Sequence, residues 1–138
     1  MKIAVVGAGG WGTALATIWS RRHRSIALIG KDPARIQALQ QSRENKTYLP
    51  GVSIPREIRL TSDLQFCEEA DLLVFSTPST ALREIIARIK SERFSRQRVH
   101  VVATGGYAEL IAKRLGKIDS VHPNLTLEGL RIAANLNP

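Results

Sequence analysis

A glycine-rich turn near the amino terminus constrains the fold of this chain more than any other feature. The motif Gly7-x-Gly9-x-x-Gly12 directly follows a short apolar run and precedes a segment of good helix formers. In this setting the first glycine permits a tight turn, the second lets the backbone approach a pyrophosphate, and the third lets the helix pack closely on the strand. Because amides at a helix N-terminus carry partial positive charge, such a turn binds an anion without a basic side chain. The motif predicts a dinucleotide site, although the spacing alone also fits a purely structural turn. The loop residues assigned to the site are Gly7, Gly9, Gly10, Trp11 and Gly12.

The rest of the chain alternates between strand-like and helix-like segments. Its apolar runs are short and continuous, which is typical of strands buried on both faces of a parallel sheet. Asp32-Pro33 predicts the N-cap and first residue of a helix that ends near Gln41, and an apolar stripe predicts an amphipathic helix over residues 80–92. We therefore expect an α/β fold, a doubly wound parallel sheet of Rossmann type with about six strands and helices on both faces. The predicted strands cover residues 2–6, 25–29, 58–60, 72–76, 99–103 and 118–121.

Other segments carry weaker signals. Prolines and a glycine between residues 44 and 59 predict an irregular connection, and Thr61 or Ser62 is expected to cap a short helix that ends at Glu69. Further helices are predicted over residues 107–115 and 127–136. No linker or low-complexity stretch divides the chain, so we expect one domain over residues 1–138.

Composition excludes several classes of protein. With 43% apolar and 23% charged residues, the chain suits a soluble domain, and its apolar runs are too short to span a bilayer. The single cysteine, Cys67, provides no disulfide framework, and the three histidines show no metal-ligand spacing. We therefore expect a cytoplasmic protein with no metal site and no membrane partner.

The net charge of +8 raises the question of nucleic-acid binding. The basic residues are divided evenly along the chain, with clusters at residues 21–24 and 88–98. Residues 21–24 and 93–98 each follow a predicted helix and precede a predicted strand, which places them at the sheet edge opposite the glycine loop. Cations at helix C-termini stabilise the helices and keep the protein soluble, which accounts for these clusters. Nucleic acid is therefore not expected as a partner.

Residues outside the glycine loop are also candidates for cofactor contact. Lys31, at the end of the second strand, stands where an acidic residue would bind the ribose of NAD, and with Arg35 it can instead meet the 2'-phosphate of NADP. In this reading Asp32 caps its helix. The alternative is that Lys31 is a solvated surface cation. Trp11 either covers the cofactor or packs the loop against the sheet. Thr77 and Pro78 follow a strand at its carboxyl end, where parallel sheets bind ligands. The predicted cofactor is NADP or NAD.

Several segments within residues 1 to about 90 carry a family resemblance. They are Met1 to Ala16, Gly30-Lys31-Asp32, Arg43-x-Asn45-x-x-Tyr48-Leu49-Pro50-Gly51, Ala70-Asp71 and Thr77-Pro78-Ser79. Together they resemble the bacterial NAD(P)-dependent glycerol-3-phosphate dehydrogenase family. That resemblance implies reversible hydride transfer between a nicotinamide and the C2 carbon that links glycerol 3-phosphate to dihydroxyacetone phosphate. It also implies cofactor contacts for Trp11 and Lys31.

Three segments within residues from about 95 to 138 carry a different resemblance. They are Val101-Val102-Ala103-Thr104-Gly105-Gly106-x-Ala108, Ile118-Asp119-x-Val121 and Pro123-x-Leu125-Thr126-Leu127-Glu128-Gly129-Leu130. They are similar to the C-terminal end of the type III pantothenate kinase family. This similarity implies a chimera, natural or engineered, whose two parts meet near residues 85–98 and whose tail completes the sheet. Kinase activity is not expected, because the phosphate loop and metal carboxylates of that family have no counterpart here.

Three readings of function follow. In the first, the chain is a binding module for a dinucleotide that is not catalytically complete alone, with no catalytic residue assigned. The dehydrogenase resemblance implies a lysine after Thr104, where Gly105 stands, and a substrate domain with a catalytic lysine that we expect to be absent. In the second, the recombined fold has a structural role only. In the third, the chain is a subunit of an oxidoreductase, and bare apolar surface favours a homodimer.

Overall fold

The structure is a computed structural model that describes residues 1–89, 102–104 and 120–122, with residues 109, 113 and 124. The chain comprises two compact units, Met1–Arg96 and Gln97–Pro138. Within residues 1–89, the structure contains six strands, three α-helices and one 3-10 helix. In chain order these are β1 (Lys2–Val6), α1 (Gly10–Ser20), β2 (Ser25–Ile29), α2 (Pro33–Ser42), β3 (Glu44–Asn45), β4 (Leu49–Ser53), β5 (Ile58–Thr61), a 3-10 helix (Leu64–Cys67), β6 (Leu72–Phe75) and α3 (Ser79–Ile89).

Four parallel strands form the main sheet in the order β5, β2, β1, β6. Counting only these parallel strands along the chain, the order is 3-2-1-4, which is the first part of the doubly wound arrangement. Val6 at the end of β1 lies beside Ile29 of β2 and Phe75 of β6. The carboxyl ends of these strands therefore meet at one edge, and the glycine turn leaves the sheet there.

The sheet is covered on both faces, as the sequence predicts. One face buries Ile3, Val5, Ile26 and Leu28 against helices α1 and α2, while the other buries Ala4, Val6, Ala27 and Ile29 against α3 and the 3-10 helix. Alternate residues of each strand point to opposite faces, and both sets are apolar because both faces are buried. This arrangement confirms the predicted Rossmann-type parallel fold.

The segment expected to be an irregular connection contains a β-hairpin. Strands β3 and β4 pair antiparallel with a register shift, and the Gly51 N–H donates to the Glu44 carboxylate at 3.0 Å. Pro50 is accommodated because a two-stranded ribbon leaves one side of each strand unpaired. The prediction of an irregular connection was wrong because proline, which interrupts a central strand, is tolerated in a two-stranded ribbon.

Other element boundaries also differ from expectation. The segment predicted as a helix capped by Thr61 or Ser62 is a 3-10 helix, Leu64–Cys67, whose N-cap is Asp63. Thr61 is the last residue of β5 instead. Helix α3 is confirmed over Ser79–Ile89, and the rest of its predicted range, residues 90–92, lies outside the described residues.

The second unit is described only in part. Two strands, β7 (Val102–Thr104) and β8 (Ser120–His122), pair parallel, and residues 109 and 113 between them are helical. The predicted helix at residues 127–136 and Gly105 lie outside the described residues. Within the described part of the chain, no helix combines the length and apolar character needed to cross a membrane.

Candidate functional site

The turn between β1 and α1 is fixed by the conformation and surroundings of its first glycine. Gly7 has a φ of 119°, a backbone conformation that residues other than glycine rarely adopt. Its N–H donates to the Ile29 carbonyl at 2.8 Å, which ties the turn to the end of β2. A Cβ at this position would lie 2.7 Å from the Ser76 carbonyl oxygen, so the neighbouring strand also excludes a side chain.

The other loop glycines differ in how much space surrounds them. A Cβ on Gly12 would overlap the Gly7 carbonyl, and one on Gly10 would lie 2.6 Å from the Tyr48 carbonyl oxygen. A Cβ on Gly9 would meet no atom within 4 Å. Gly12 and Gly10 are therefore needed for packing, whereas Gly9 borders open space of the kind that a ligand requires.

The carbonyl groups of the loop are bound by side chains from three other elements. Ser76 Oγ donates to the Gly7 carbonyl at 2.9 Å or to the Val6 carbonyl at 3.2 Å. The Ala8 carbonyl accepts from Arg35 Nη2 at 2.9 Å and Asn45 Nδ2 at 3.2 Å. The Gly9 carbonyl accepts from the Thr13 hydroxyl at 2.7 Å. The carbonyls of residues 7–9 are therefore all engaged by side chains.

The amides of the loop have few partners of their own. Thr13 N–H donates to the Gly9 carbonyl at 3.0 Å, in the normal helical pattern. Among the residues that the structure describes, no acceptor is found for the N–H groups of residues 8–12. The N-cap Gly9 offers no side chain that could satisfy them. Unpaired amides and the dipole of an eleven-residue helix form the donor set that a pyrophosphate needs.

Two exposed aromatic side chains flank the loop. Trp11 is 49% exposed and Tyr48 is 54% exposed. The exposure of Trp11 argues against the alternative in which this ring packs the loop against the sheet. The ring of Tyr48 lies 4.1 Å from the guanidinium carbon of Arg35.

The basic residues expected at the end of β2 have different surroundings. Lys31 is exposed, and its Nζ lies 3.4 Å from Glu84 Oε2. Asp32 is the N-cap of α2 and accepts from the Ala34 N–H at 3.0 Å, which confirms the predicted N-cap. Arg35, expected beside Lys31 at a 2'-phosphate, binds the glycine loop instead because α2 brings it to the Ala8 carbonyl.

Thr77 and Pro78 stand at the carboxyl end of β6, on the same sheet edge as the glycine loop. The Thr77 hydroxyl is buried and has no hydrogen-bond partner among the described residues. Pro78 is exposed. A buried hydroxyl without a partner is costly, so its position at the ligand edge is consistent with a contact to a bound group.

Sequence reasoning assigned no role in the site to Asn45 or Ser76. Asn45 appeared only within a motif that carries the dehydrogenase resemblance, and Ser76 only as the last residue of a predicted strand. Both bind loop atoms far away in sequence, at separations such as 37 and 69 residues. No local pattern reports contacts of that range.

Two cavities of about 290 and 320 Å³ lie outside the glycine loop, one beside the 3-10 helix and one along the amino-terminal edge of the sheet. Neither includes a residue of the glycine loop. Over the described ranges, no group of three or more histidine, cysteine or acidic residues could hold a metal ion.

Comparison with known families gives one result over most of the chain. A family model described as NAD-dependent glycerol-3-phosphate dehydrogenase N-terminus matches residues 2–121. The glycerol-3-phosphate dehydrogenase (NAD(P)+) of Desulfitobacterium hafniense is 39% identical over 133 residues, which cover 93% of this chain and 37% of that protein. The relative from Carboxydothermus hydrogenoformans is 43% identical over 91 residues. The chain thus spans well under half the length of these relatives.

Solved structures give the same fold. Glycerol-3-phosphate dehydrogenase from Coxiella burnetii superposes with a TM-score of 0.69 and 28% identity, covering 90% of this chain and 41% of that one. The yeast enzyme superposes with a TM-score of 0.65 over 87% of this chain and 40% of its own. At 21% identity, that second likeness concerns the fold alone.

Proposed function

Since this chain belongs to the family of N-terminal domains of NAD-dependent glycerol-3-phosphate dehydrogenases, we propose that its glycine loop binds the pyrophosphate of NAD or NADP. The observation that carries the proposal is the loop itself. Its carbonyls are turned inward onto side chains, while the amides of residues 8–12 have no acceptor among the described residues. The residues that would hold the cofactor are Gly7, Gly9, Gly10, Trp11, Gly12, Lys31, Thr77 and Pro78.

The cofactor, when bound, supplies a hydride acceptor or donor through its nicotinamide ring. The chain's own contribution is to hold and orient it. The loop amides bind the pyrophosphate, exposed Trp11 covers one side of it, and Thr77 offers its buried hydroxyl at the neighbouring strand end. Lys31 meets the 2'-phosphate, which makes NADP the favoured form.

Calorimetric titration with NADPH, NADH and ATP tests this proposal. Gly9→Val is the informative variant, because a side chain at Gly9 enters open space and leaves the fold intact while it fills the place of the ligand. Gln41→Val is the matched control on an exposed helical position away from the loop. We expect saturable binding of NADPH or NADH that Gly9→Val abolishes and Gln41→Val retains. A cooperatively folded sample that binds no dinucleotide would leave the loop a structural role only.

A second candidate function is participation in an oxidoreductase that acts on glycerol 3-phosphate or dihydroxyacetone phosphate. The names of the relatives support it, and those proteins are much longer than this chain. We propose that the chain alone binds the cofactor without turning over these substrates. Oxidation of NADPH by dihydroxyacetone phosphate in the presence of this chain alone would contradict that proposal.

We also propose a cytoplasmic homodimer. Ile18 on α1 is 58% exposed and presents apolar surface suited to self-association. Light scattering across a concentration series measures the mass in solution. A monomer at all concentrations would contradict the dimer.

The expected chimera receives no support from the comparisons. The family match covers residues 2–121, a range that includes the segment 85–98 where the two resemblances are expected to meet. The similarity of residues 95–138 to type III pantothenate kinase therefore stays a hypothesis. Binding of ATP in the titration above, competitive with neither NADH nor NADPH, is the result that would favour it.

A further inference from the structure

Asn45 is one of two polar residues buried in the described core, and its amide lies against the glycine loop. It is 1% exposed. Its Nδ2 lies 3.2 Å from the Ala8 carbonyl oxygen and 3.4 Å from that of Gly9, and 2.8 Å from the Thr13 hydroxyl. A buried amide persists in a core only when its donors and acceptor are satisfied, and the loop satisfies the donors.

Arg35 completes the arrangement. Its Nη2 donates to the Ala8 carbonyl at 2.9 Å and lies 3.4 Å from Asn45 Oδ1. Its guanidinium stacks on the ring of Tyr48 with 4.1 Å to the centroid. The Tyr48 carbonyl in turn borders Gly10, where a Cβ would lie 2.6 Å from it. Side chains from α2 and the β3–β4 hairpin thus hold two successive loop carbonyls.

The geometry of the peptide group makes these bonds matter for a ligand on the other side. In a trans peptide the C=O of one residue and the N–H of the next lie in one plane and point in opposite directions. Fixing the Ala8 and Gly9 carbonyls inward therefore fixes the Gly9 and Gly10 N–H groups outward. If either plane rotated, a carbonyl dipole would face the phosphate in place of an amide.

We propose that Asn45 and Arg35 are positioning residues of the dinucleotide site, which orient the loop amides toward the pyrophosphate without touching the cofactor. This inference rests on the proposed function. It assigns a role in ligand binding to a buried asparagine and to an arginine whose guanidinium donates to a backbone carbonyl.

The test compares two ligands that differ in the pyrophosphate. ADP-ribose contains it and adenosine lacks it, so a defect in loop orientation weakens the first and spares the second. The variants are Asn45→Ala, Arg35→Met and Arg35→Lys in the full chain, assayed below their unfolding temperatures. Arg43→Lys is the matched control, because Arg43 also donates to two backbone carbonyls, those of Pro55 and Ile58, away from the loop.

We expect Asn45→Ala to raise the Kd for ADP-ribose about tenfold or more, the effect of losing one well-placed hydrogen bond, with the Kd for adenosine within about twofold. Arg35→Lys is expected to bind as weakly as Arg35→Met, because a single ammonium cannot replace the planar fork and its stacking. Arg43→Lys is expected to lower the unfolding temperature without changing the ratio of the two Kd values.

Each other outcome is decisive. Unchanged ADP-ribose binding by Asn45→Ala and Arg35→Met, with the wild type binding normally, would overturn the inference and leave the proposed function standing. An equal loss in Arg43→Lys would overturn it too, since general destabilisation would then explain the effect. A wild-type chain that binds neither ADP-ribose nor NADPH would overturn the proposed function and this inference together.

Discussion

Lys31 is the residue on which cofactor preference should depend. It follows β2 at the ligand edge of the sheet, and its contact with Glu84 at 3.4 Å joins two side chains that are 69% and 57% exposed. Such a surface pair contributes little and leaves the ammonium able to meet a 2'-phosphate. We expect Lys31→Glu to weaken NADPH binding about tenfold or more relative to NADH binding. The reason is that the attraction between Lys31 and the 2'-phosphate becomes a repulsion between two negative charges.

The control for Lys31 is its partner on α3. Glu84→Gln removes the competing carboxylate, so NADPH should bind as tightly as to the wild type or slightly more tightly. If Lys31→Glu weakens NADH and NADPH equally, the residue is a solvated cation and the preference comes from elsewhere.

Cys67 gives a second prediction, on the alkaline side. Burial raises the pKa of its thiol from 9.0 to about 11, with the carboxylates of Asp63 and Glu68 adding to the shift. Below pH 9 the thiol is protonated in both states and adds no pH dependence. Between pH 9 and 11 the unfolded chain releases the proton and the folded chain keeps it, so the free energy of unfolding falls as pH rises.

Denaturant unfolding of the wild type and Cys67→Ala at pH 8, 9, 10 and 11 measures this effect. The variant loses packing at a buried site but has no thiol to titrate. The stability advantage of the wild type should therefore narrow as pH rises through this window. A constant difference would show that the thiol ionises equally in both states.

The sequence predicts those site residues whose roles depend only on their neighbours along the chain. The glycine spacing and Asp32 are read from neighbours within a few positions, and the structure gives them the expected turn and cap. Asn45 and Ser76 act across the fold, so only the tertiary structure identifies them. Arg35 was misread because its charge suggested a phosphate, whereas its position on α2 directs it to a carbonyl.

Among the elements, α2 has the most clearly assigned start. Asp32 caps it with a 3.0 Å bond to the Ala34 N–H, Pro33 occupies the first helical position, and Arg43 ends the helix with a φ of 50°. Removing the cap leaves an amide without its acceptor. We expect Asp32→Ala to lower the free energy of unfolding by about 1 kcal/mol, measured by chemical denaturation.

Asp32→Asn separates the contribution of the cap hydrogen bond to stability from that of the carboxylate charge. Asparagine retains a side-chain acceptor, so its stability should lie close to that of the wild type. A loss equal to that of Asp32→Ala would assign the effect to charge and not to the hydrogen bond.

Elements with an apolar face were predicted better than those without one. Strands β1, β2 and β6 are continuous apolar runs whose burial follows from composition alone. The β3–β4 hairpin has exposed or half-buried residues at all positions except Asn45, so no hydrophobic pattern marks it. It forms because backbone and polar side-chain bonds, such as Ile54 N–H to the Arg43 carbonyl at 2.7 Å, fix it beside α2.

At the scale of the whole molecule, the sheet order explains why one motif at the amino terminus was so informative. β1 lies between β2 and β6, so the turn that follows it emerges at the centre of the ligand edge. Parallel strands need right-handed crossovers, and that requirement leaves few alternative orders for this element sequence. The order of the four strands in the main sheet follows from these rules.

The domain organisation gives the last prediction. We expect residues 1–138 to form one cooperative domain. Calorimetry should then show a single transition whose calorimetric and van't Hoff enthalpies agree. Asp32→Ala, within Met1–Arg96, should lower that one Tm by roughly 3–6 °C for a domain of this size. If two transitions appear and Asp32→Ala moves only one of them, residues 97–138 unfold independently and the single-domain proposal fails.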